Sequence, residues 1–246
     1  MFNWFRKKEL ATLPFKTDIH CHLIPGIDDG SDAVGKSVEL LQHMQQWGLT
    51  RIIPTPHHTE EYFENTPATI DPPRESLVAA AREAGIDVEI MPASGEYRID
   101  SYFVDLLEKG LVRPLAGPYL LVENSFNTEP YNLDEALFDL STRGYKPVLA
   151  HPERYLYYHH TPNRYRQLHA NGTLFQCNLL SLGGYYGKEI KKTAEWMLEN
   201  GMLDFLGTDL HGMRHVEFIE RYMGSADFAR LSRSLEGHLL NDTIIP

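Results

Sequence analysis

The feature that most constrains this chain is an alternation. Seven short apolar runs, at residues 15–19, 51–54, 88–91, 119–122, 147–150, 174–177 and 203–206, are separated by stretches with helical spacing. In "SDAVGKSVELLQHMQQWGL", residues 31–49, Val34, Val38 and Leu41 fall on one helical face. Ser31 or Asp32 stands where an N-cap belongs, and Gly48 where the helix should stop. Residues 132–144, 163–172 and 188–201 read the same way. Strand and helix in strict turn predict a parallel sheet, because parallel neighbours need a long crossover between them. Over 246 residues, with no Pro/Gly/Ser linker and no internal repeat, one closed or nearly closed α/β barrel fits better than an open doubly wound sheet. The acidic stretch "HHTEEYFENTPATIDPP", residues 57–73, reads as a long loop on the rim.

Ionisable residues follow the runs. His20, His22 and Asp29 come after the first, His57 and His58 after the second, Glu96 after the third and Glu123 after the fourth. His151, Glu153 and Arg154 follow the fifth, and Asp209 and His211 the seventh. In an α/β barrel these C-terminal strand ends form one rim, so residues distant in sequence converge there. Side chains alternate faces along a strand, which puts His20 and His22 on one side and Cys21 on the other. Asp209 and His211 pair in the same way.

Cys21 therefore faces the helix layer. A cysteine-dependent phosphatase also needs an arginine six positions after its cysteine, where this chain has Ile27 and Gly183, so a thiolate mechanism is disfavoured for both Cys21 and Cys177. Two cysteines make no disulfide framework and fit a reducing cytoplasm.

Five histidines and four carboxylates gathered as free groups in one cavity would repel one another and resist burial. Divalent cations remove that conflict. The nine residues His20, His22, Asp29, His57, Glu96, Glu123, His151, Asp209 and His211 exceed what one ion can use, and point to two or three. Four carboxylates against three divalent ions leave roughly +2, which attracts a phosphate that the bare carboxylates would reject. A donor set of imidazole and carboxylate without sulfur suits manganese, iron or zinc. The net charge of −11 argues against a protein that tracks nucleic-acid backbones, because phosphate repulsion would have to be overcome locally. No apolar segment is long enough to span a bilayer and no secretory signal is visible, so a cytoplasmic protein is expected. The N-terminal "MFNWFRKK" offers at most weak contact with an anionic membrane.

The motifs "DIHCHLIPGIDDG", "IIPTPHH", "GYKPVLAHPERY" and "LGTDLH" resemble, in order and spacing, those of the polymerase and histidinol phosphatase (PHP) superfamily. Within it they are similar to the bacterial metal-dependent protein-tyrosine phosphatases of the CpsB/CapC group. The resemblance runs from about Thr17 to the C-terminal "LNDTIIP". It implies a distorted (β/α)7 TIM-like barrel at residues 15–246, after an extension at 1–14, with three metals, manganese foremost. Carried over position by position, the group's ligands fall on the same nine residues. Its phosphate-gripping arginines fall on Arg154 and, after the final histidine, on Arg214. Asn124 stands where the group often places an aromatic residue.

The resemblance further implies a substrate: phosphotyrosine on the tail of a membrane-associated bacterial tyrosine kinase controlling capsule or exopolysaccharide production. The expected reaction is attack by a metal-bridging hydroxide, with Arg154 neutralising phosphoryl oxygens and His58 as a proton donor or a supporting residue. Tyr155, Tyr157, Tyr158, Tyr185 and Tyr186 either sandwich the substrate ring or pack against neighbours. The alternatives are a small-molecule phosphoesterase such as a histidinol phosphatase, and a non-catalytic, metal-stabilised protein that docks on the kinase.

Overall fold

The computed structural model describes residues 11–235 and 237–244. The N-terminal "MFNWFRKK", and with it the expected membrane contact, lies outside them. Among the described residues nine strands, all parallel, form two ladders. β1 (Thr17–Asp18), β2 (Arg51–Ile52) and β4 (Glu89–Ile90) pair in the order β1-β2-β4. The second ladder also contains β3 (His57–His58), β5 (Glu96–Arg98), β6 (Tyr119–Glu123), β7 (Lys146–Ala150), β8 (Leu174–Asn178) and β9 (Phe205–Gly207), in the order β3-β5-β6-β7-β8-β9.

The break between the ladders has a local cause. Pro54 and Pro56 lie between β2 and β3, and a proline has no N–H to give a ladder. Their carbonyls still accept, from Ser94 N (2.9 Å) and Glu96 N (3.0 Å), so the chain runs on in register from one ladder into the other. The sheet curls until its outer segments meet: Asp209 N donates to His20 O (2.8 Å) and His22 N to Leu210 O (3.0 Å). The result is a curled parallel sheet with helices outside it.

Helices Val34–Gln46, Leu133–Thr142, Pro162–Ala170 and Lys188–Glu199 stand where the periodicity places them. Leu40, Leu41 and Met44 of the first bury against Cys21, Leu23 and Ile52. Its N-cap is Ala33, not Ser31 or Asp32. Ser31 is committed elsewhere, its hydroxyl to Ala33 O and Ser37 Oγ and its N–H to His22 O. The expected loop at 57–73 is shorter than its composition suggests, because helix Pro67–Glu83 begins inside it. Pro67 occupies the first helical turn, where a missing N–H costs nothing. Thr66 N–H bonds Thr69 Oγ1 (2.9 Å), and buried Ile70, Leu77 and Ala81 hold the helix despite Pro72 and Pro73. Helices Ser101–Glu108, Met213–Met223 and Ala226–Leu235 complete the outer layer. Among the described residues no helix is long and apolar enough to cross a membrane.

Candidate metal centre

The strand ends deliver their ionisable residues to one mouth, a cavity of about 370 Å³ lined by Asp29, His57, His151, Arg154, Asp209 and His211, together with Phe126, Tyr186 and His215. Beneath it sit His20, His22, Glu96 and Glu123, all buried. Glu96 is the hub. Its Oε2 lies 3.0 Å from His57 Nδ1, 3.2 Å from His20 Nε2 and 3.5 Å from His22 Nε2, and its Oε1 lies 2.9 Å from His151 Nε2. Asp209 Oδ1 is 3.4 Å from His20 Nε2 and 3.5 Å from His22 Nε2. At the rim, Asp29 Oδ1 is 3.4 Å from His57 Nε2 and 3.5 Å from His211 Nε2.

The local backbone is shaped to bring these groups close. His151 (φ 34°) and Asp209 (φ 50°) adopt left-handed conformations unusual for residues with a Cβ, strain of the kind found where a site is over-determined. At Gly30 a Cβ would lie 2.2 Å from His22 O, so only glycine lets the "DDG" loop fold back over His22. That fold puts Asp28 Oδ2 2.8 Å from His22 Nδ1 and leaves Nε2 facing the cluster.

The residues fit divalent ions on one observation. His20 Nε2, His22 Nε2, His57 Nδ1, both oxygens of Glu96 and Glu123 Oε2 are buried without a hydrogen bond. All but Glu123 Oε2 lie within 3.5 Å of an atom of the other type yet make no hydrogen bond, and Glu123 Oε2 lies 3.9 Å from His151 Nε2, which is how ligand atoms around a common ion are arranged. Four overlapping groups have mutually close donor atoms: His20–His22–Asp209, His57–Glu96–Glu123, His20–Glu96–His151 and His22–Asp29–His57–His211.

Electrostatics agree with an arrangement meant for external positive charge. Burial raises Glu123, and the neighbouring Glu96 raises it further. Burial would also raise Glu96 and Asp209, but the imidazoles hold both well below the usual carboxylate range. In return, although burial and His22 oppose it, Glu96 and Asp29 push His57 up to about 10. Without ions the carboxylates favour the protonated form of His20, His22 and His57, whereas burial and Arg154 push His151 down to about 4.

Arg154 lies at the mouth, its Nη1 3.0 Å from Asp209 Oδ2 and its guanidinium between the rings of Phe126 (4.6 Å) and Tyr186 (4.2 Å). Glu153 points away, accepting from Asn178 N (3.0 Å). Two expected participants sit elsewhere. His58 is buried with Nδ1 3.0 Å from Pro56 O and its ring on Tyr97, and burial pushes it down to about 4. Arg214 is exposed on the first turn of Met213–Met223 and does not line the cavity, whereas His215, one residue on, does. Of the five rim tyrosines, Tyr155 and Tyr158 are buried, and they bond the backbone N–H and side-chain amide of Asn124 (2.8 and 3.2 Å). Tyr186 lines the mouth. Asp28 carries no separate signal in the sequence beyond adjacency to Asp29, Phe126 none beyond standing three residues after Glu123, and His215 none beyond standing four residues after His211.

A family profile for capsular polysaccharide synthesis, CpsB/CapC, matches residues 16–220. Tyrosine-protein phosphatase YwqE of Bacillus subtilis (strain 168) is 30% identical over 236 residues, 92% of each chain. Tyrosine-protein phosphatase CpsB of Streptococcus pneumoniae is 27% identical over 205 residues, 80% of this chain and 83% of its own. Crystal structures of YwqE from Bacillus subtilis and CpsB from Streptococcus pneumoniae are described as those of unique metal-dependent tyrosine phosphatases. A chain among them superposes with a TM-score of 0.77 at 29% identity, covering 93% of this chain and 96% of the other.

Proposed function

Since the chain belongs to the CpsB/CapC family of capsular polysaccharide synthesis, we propose that it is a metal-dependent protein-tyrosine phosphatase. The observation that carries this reading is the set of buried, unbonded imidazole and carboxylate atoms gathered beside Arg154. Manganese is the metal this reading favours, two or three ions per chain, from a donor set of nitrogen and oxygen alone. Bound there, such ions supply Lewis acidity, making water acidic enough to attack at neutral pH and offsetting phosphoryl charge. The barrel is read as (β/α)7: seven staves, with β2–β3 and β4–β5 each counted as one, and the first and last joined through His20, His22, Asp209 and Leu210.

The chain's own residues do the rest. Arg154 keeps its planar fork rigid through Asp209 and two flanking rings, so it can grip two phosphoryl oxygens without being ordered first. The mouth opens to solvent at Asp29, His57 and His211, so a side chain projecting from a protein can reach it. A tyrosinate, with a pKa of about 10, leaves with little help, so no buried acid such as His58 is required. The substrate this reading favours is the phosphotyrosine tail of a membrane-associated bacterial tyrosine kinase, met in the cytoplasm. Comparing turnover of a phosphotyrosine peptide with that of histidinol phosphate tests the class. Preference for the peptide is expected, and preference for histidinol phosphate overturns it.

A further inference from the structure

Among the strands of the second ladder that run to the mouth, β8 supplies no candidate ligand, yet Gln176 and Asn178 at its end are fully buried beside the cluster. We propose that Gln176 and Asn178 are positioning residues: together they dictate which atom of His20 and which oxygen of Asp209 face the ions. The inference rests on the metal reading above.

Its force comes from groups whose polarity cannot change. The backbone N–H of His151 can only donate, and it points at Gln176 Oε1 (3.3 Å). The carbonyl of Cys177 can only accept, and it receives Gln176 Nε2 (2.8 Å). The amide of Gln176 is thereby locked in one orientation. Its accepting Oε1 also meets His20 Nδ1 at 2.7 Å, so Nδ1 must carry a hydrogen and the lone pair of the neutral ring is left on Nε2, the atom that faces Glu96 and Asp209.

The same lock propagates the other way. Gln176 Nε2 also donates to Asn178 Oδ1 (3.0 Å), which turns Asn178 Nδ2 outward to donate to Asp209 Oδ2 (2.6 Å). Arg154 takes that same oxygen, so Oδ1 is the one left free. Space for the lock is reserved on β9: a Cβ at Gly207 would lie 2.6 Å from His20 Cβ and 2.7 Å from Gln176 Nε2. One amide pair thus sets the ligating atoms of two residues that are 189 positions apart in sequence.

The test titrates Mn²⁺ calorimetrically into the chelator-stripped full chain and its variants, with thermal melting of the metal-free proteins alongside. Gln176→Leu removes the accepting oxygen and is expected to weaken Mn²⁺ binding by about 10–100-fold. Gln176→Glu keeps an oxygen toward His20 Nδ1 but turns its other oxygen on the Cys177 carbonyl and Asn178 Oδ1, so it is expected to recover only part of that loss. Asn178→Asp keeps the shape but replaces the N–H donor with a carboxylate facing Asp209, and is expected to weaken binding to a similar degree. Affinities for Gln176→Leu and Asn178→Asp within about twofold of wild type overturn the proposal. So does a Gln176→Glu protein that binds Mn²⁺ no more tightly than Gln176→Leu, since the oxygen facing His20 Nδ1 would then contribute nothing. If Gln176→Leu does not fold, the isosteric Asn178→Asp decides. Wild type that takes up no Mn²⁺ defeats the metal reading instead.

Discussion

Both ends of the sheet carry polar side chains, and they are bonded in opposite ways. At the base, Asp242 Oδ1 accepts from Lys16 N (2.8 Å) and Thr17 N (2.9 Å). Asn241 bonds Leu206 N (3.0 Å), Leu206 O (2.7 Å) and Thr17 O (2.9 Å), while Asp204 bonds Phe175 N (2.8 Å) and His169 Nε2 (3.0 Å). None of those side-chain atoms is left unbonded, whereas at the mouth six ligand-type atoms of His20, His22, His57, Glu96 and Glu123 are. A fold gains nothing from burying unsatisfied groups, which cost about 1–3 kcal/mol each. The base is arranged for stability, and the mouth for something absent from the chain itself.

That contrast breaks most sharply at His151. His151→Ala should lower hydrolysis of an aryl phosphate by about 10³-fold while changing the stability of the metal-free protein by less than about 1 kcal/mol. Urea unfolding beside a rate assay checks both, and equal rates would end the catalytic reading. Arg154→Lys, which keeps the charge but loses the fork and the stacking, should cost about 10²-fold in kcat. Asn241→Ala should show the reverse pattern, a loss of about 2–3 kcal/mol in unfolding free energy with kcat per folded molecule unchanged.

The smallest effect also belongs to the base. His169 is raised above its ordinary value by its hydrogen bond to Asp204. A raised histidine contributes stability in full below its unfolded value of about 6.5 and loses it as pH rises through the folded value. Wild type should therefore exceed His169→Gln by about 0.5 kcal/mol at acid pH and by less at alkaline pH, a difference kept small by solvent screening. Urea titrations on either side of the transition measure it.

Much of this was legible in the sequence because strand ends in a parallel α/β chain share one side. Each apolar run of the alternation falls on or beside a strand of the curled sheet, and the period-2 rule separated His20 and His22 from Cys21, which is buried in the helix-facing core. The same rule separates His58 from His57, and the structure has them apart: His57 lines the cavity and His58 packs on Tyr97. What stayed hidden depends on three-dimensional closure. Composition cannot tell that Pro72 and Pro73 lie inside a helix whose buried face outweighs two lost hydrogen bonds. Nor can it tell Asp28, bonded to His22, from Asp29 on the rim, since a loop held by Gly30 decides between them. Arg214 and His215 are one residue apart, and the phase of a helix starting at Met213 turns only the second toward the cavity.

Whether the unbonded groups at the mouth exist to hold ions decides what this site does. Elemental analysis and phosphotyrosine-peptide turnover, measured on one preparation before chelation, after it and after Mn²⁺ is restored, test this directly. The prediction is two or three divalent ions per chain, activity lost as they are stripped, and activity regained as they return. Full turnover by a chain stripped of all divalent ions would contradict it.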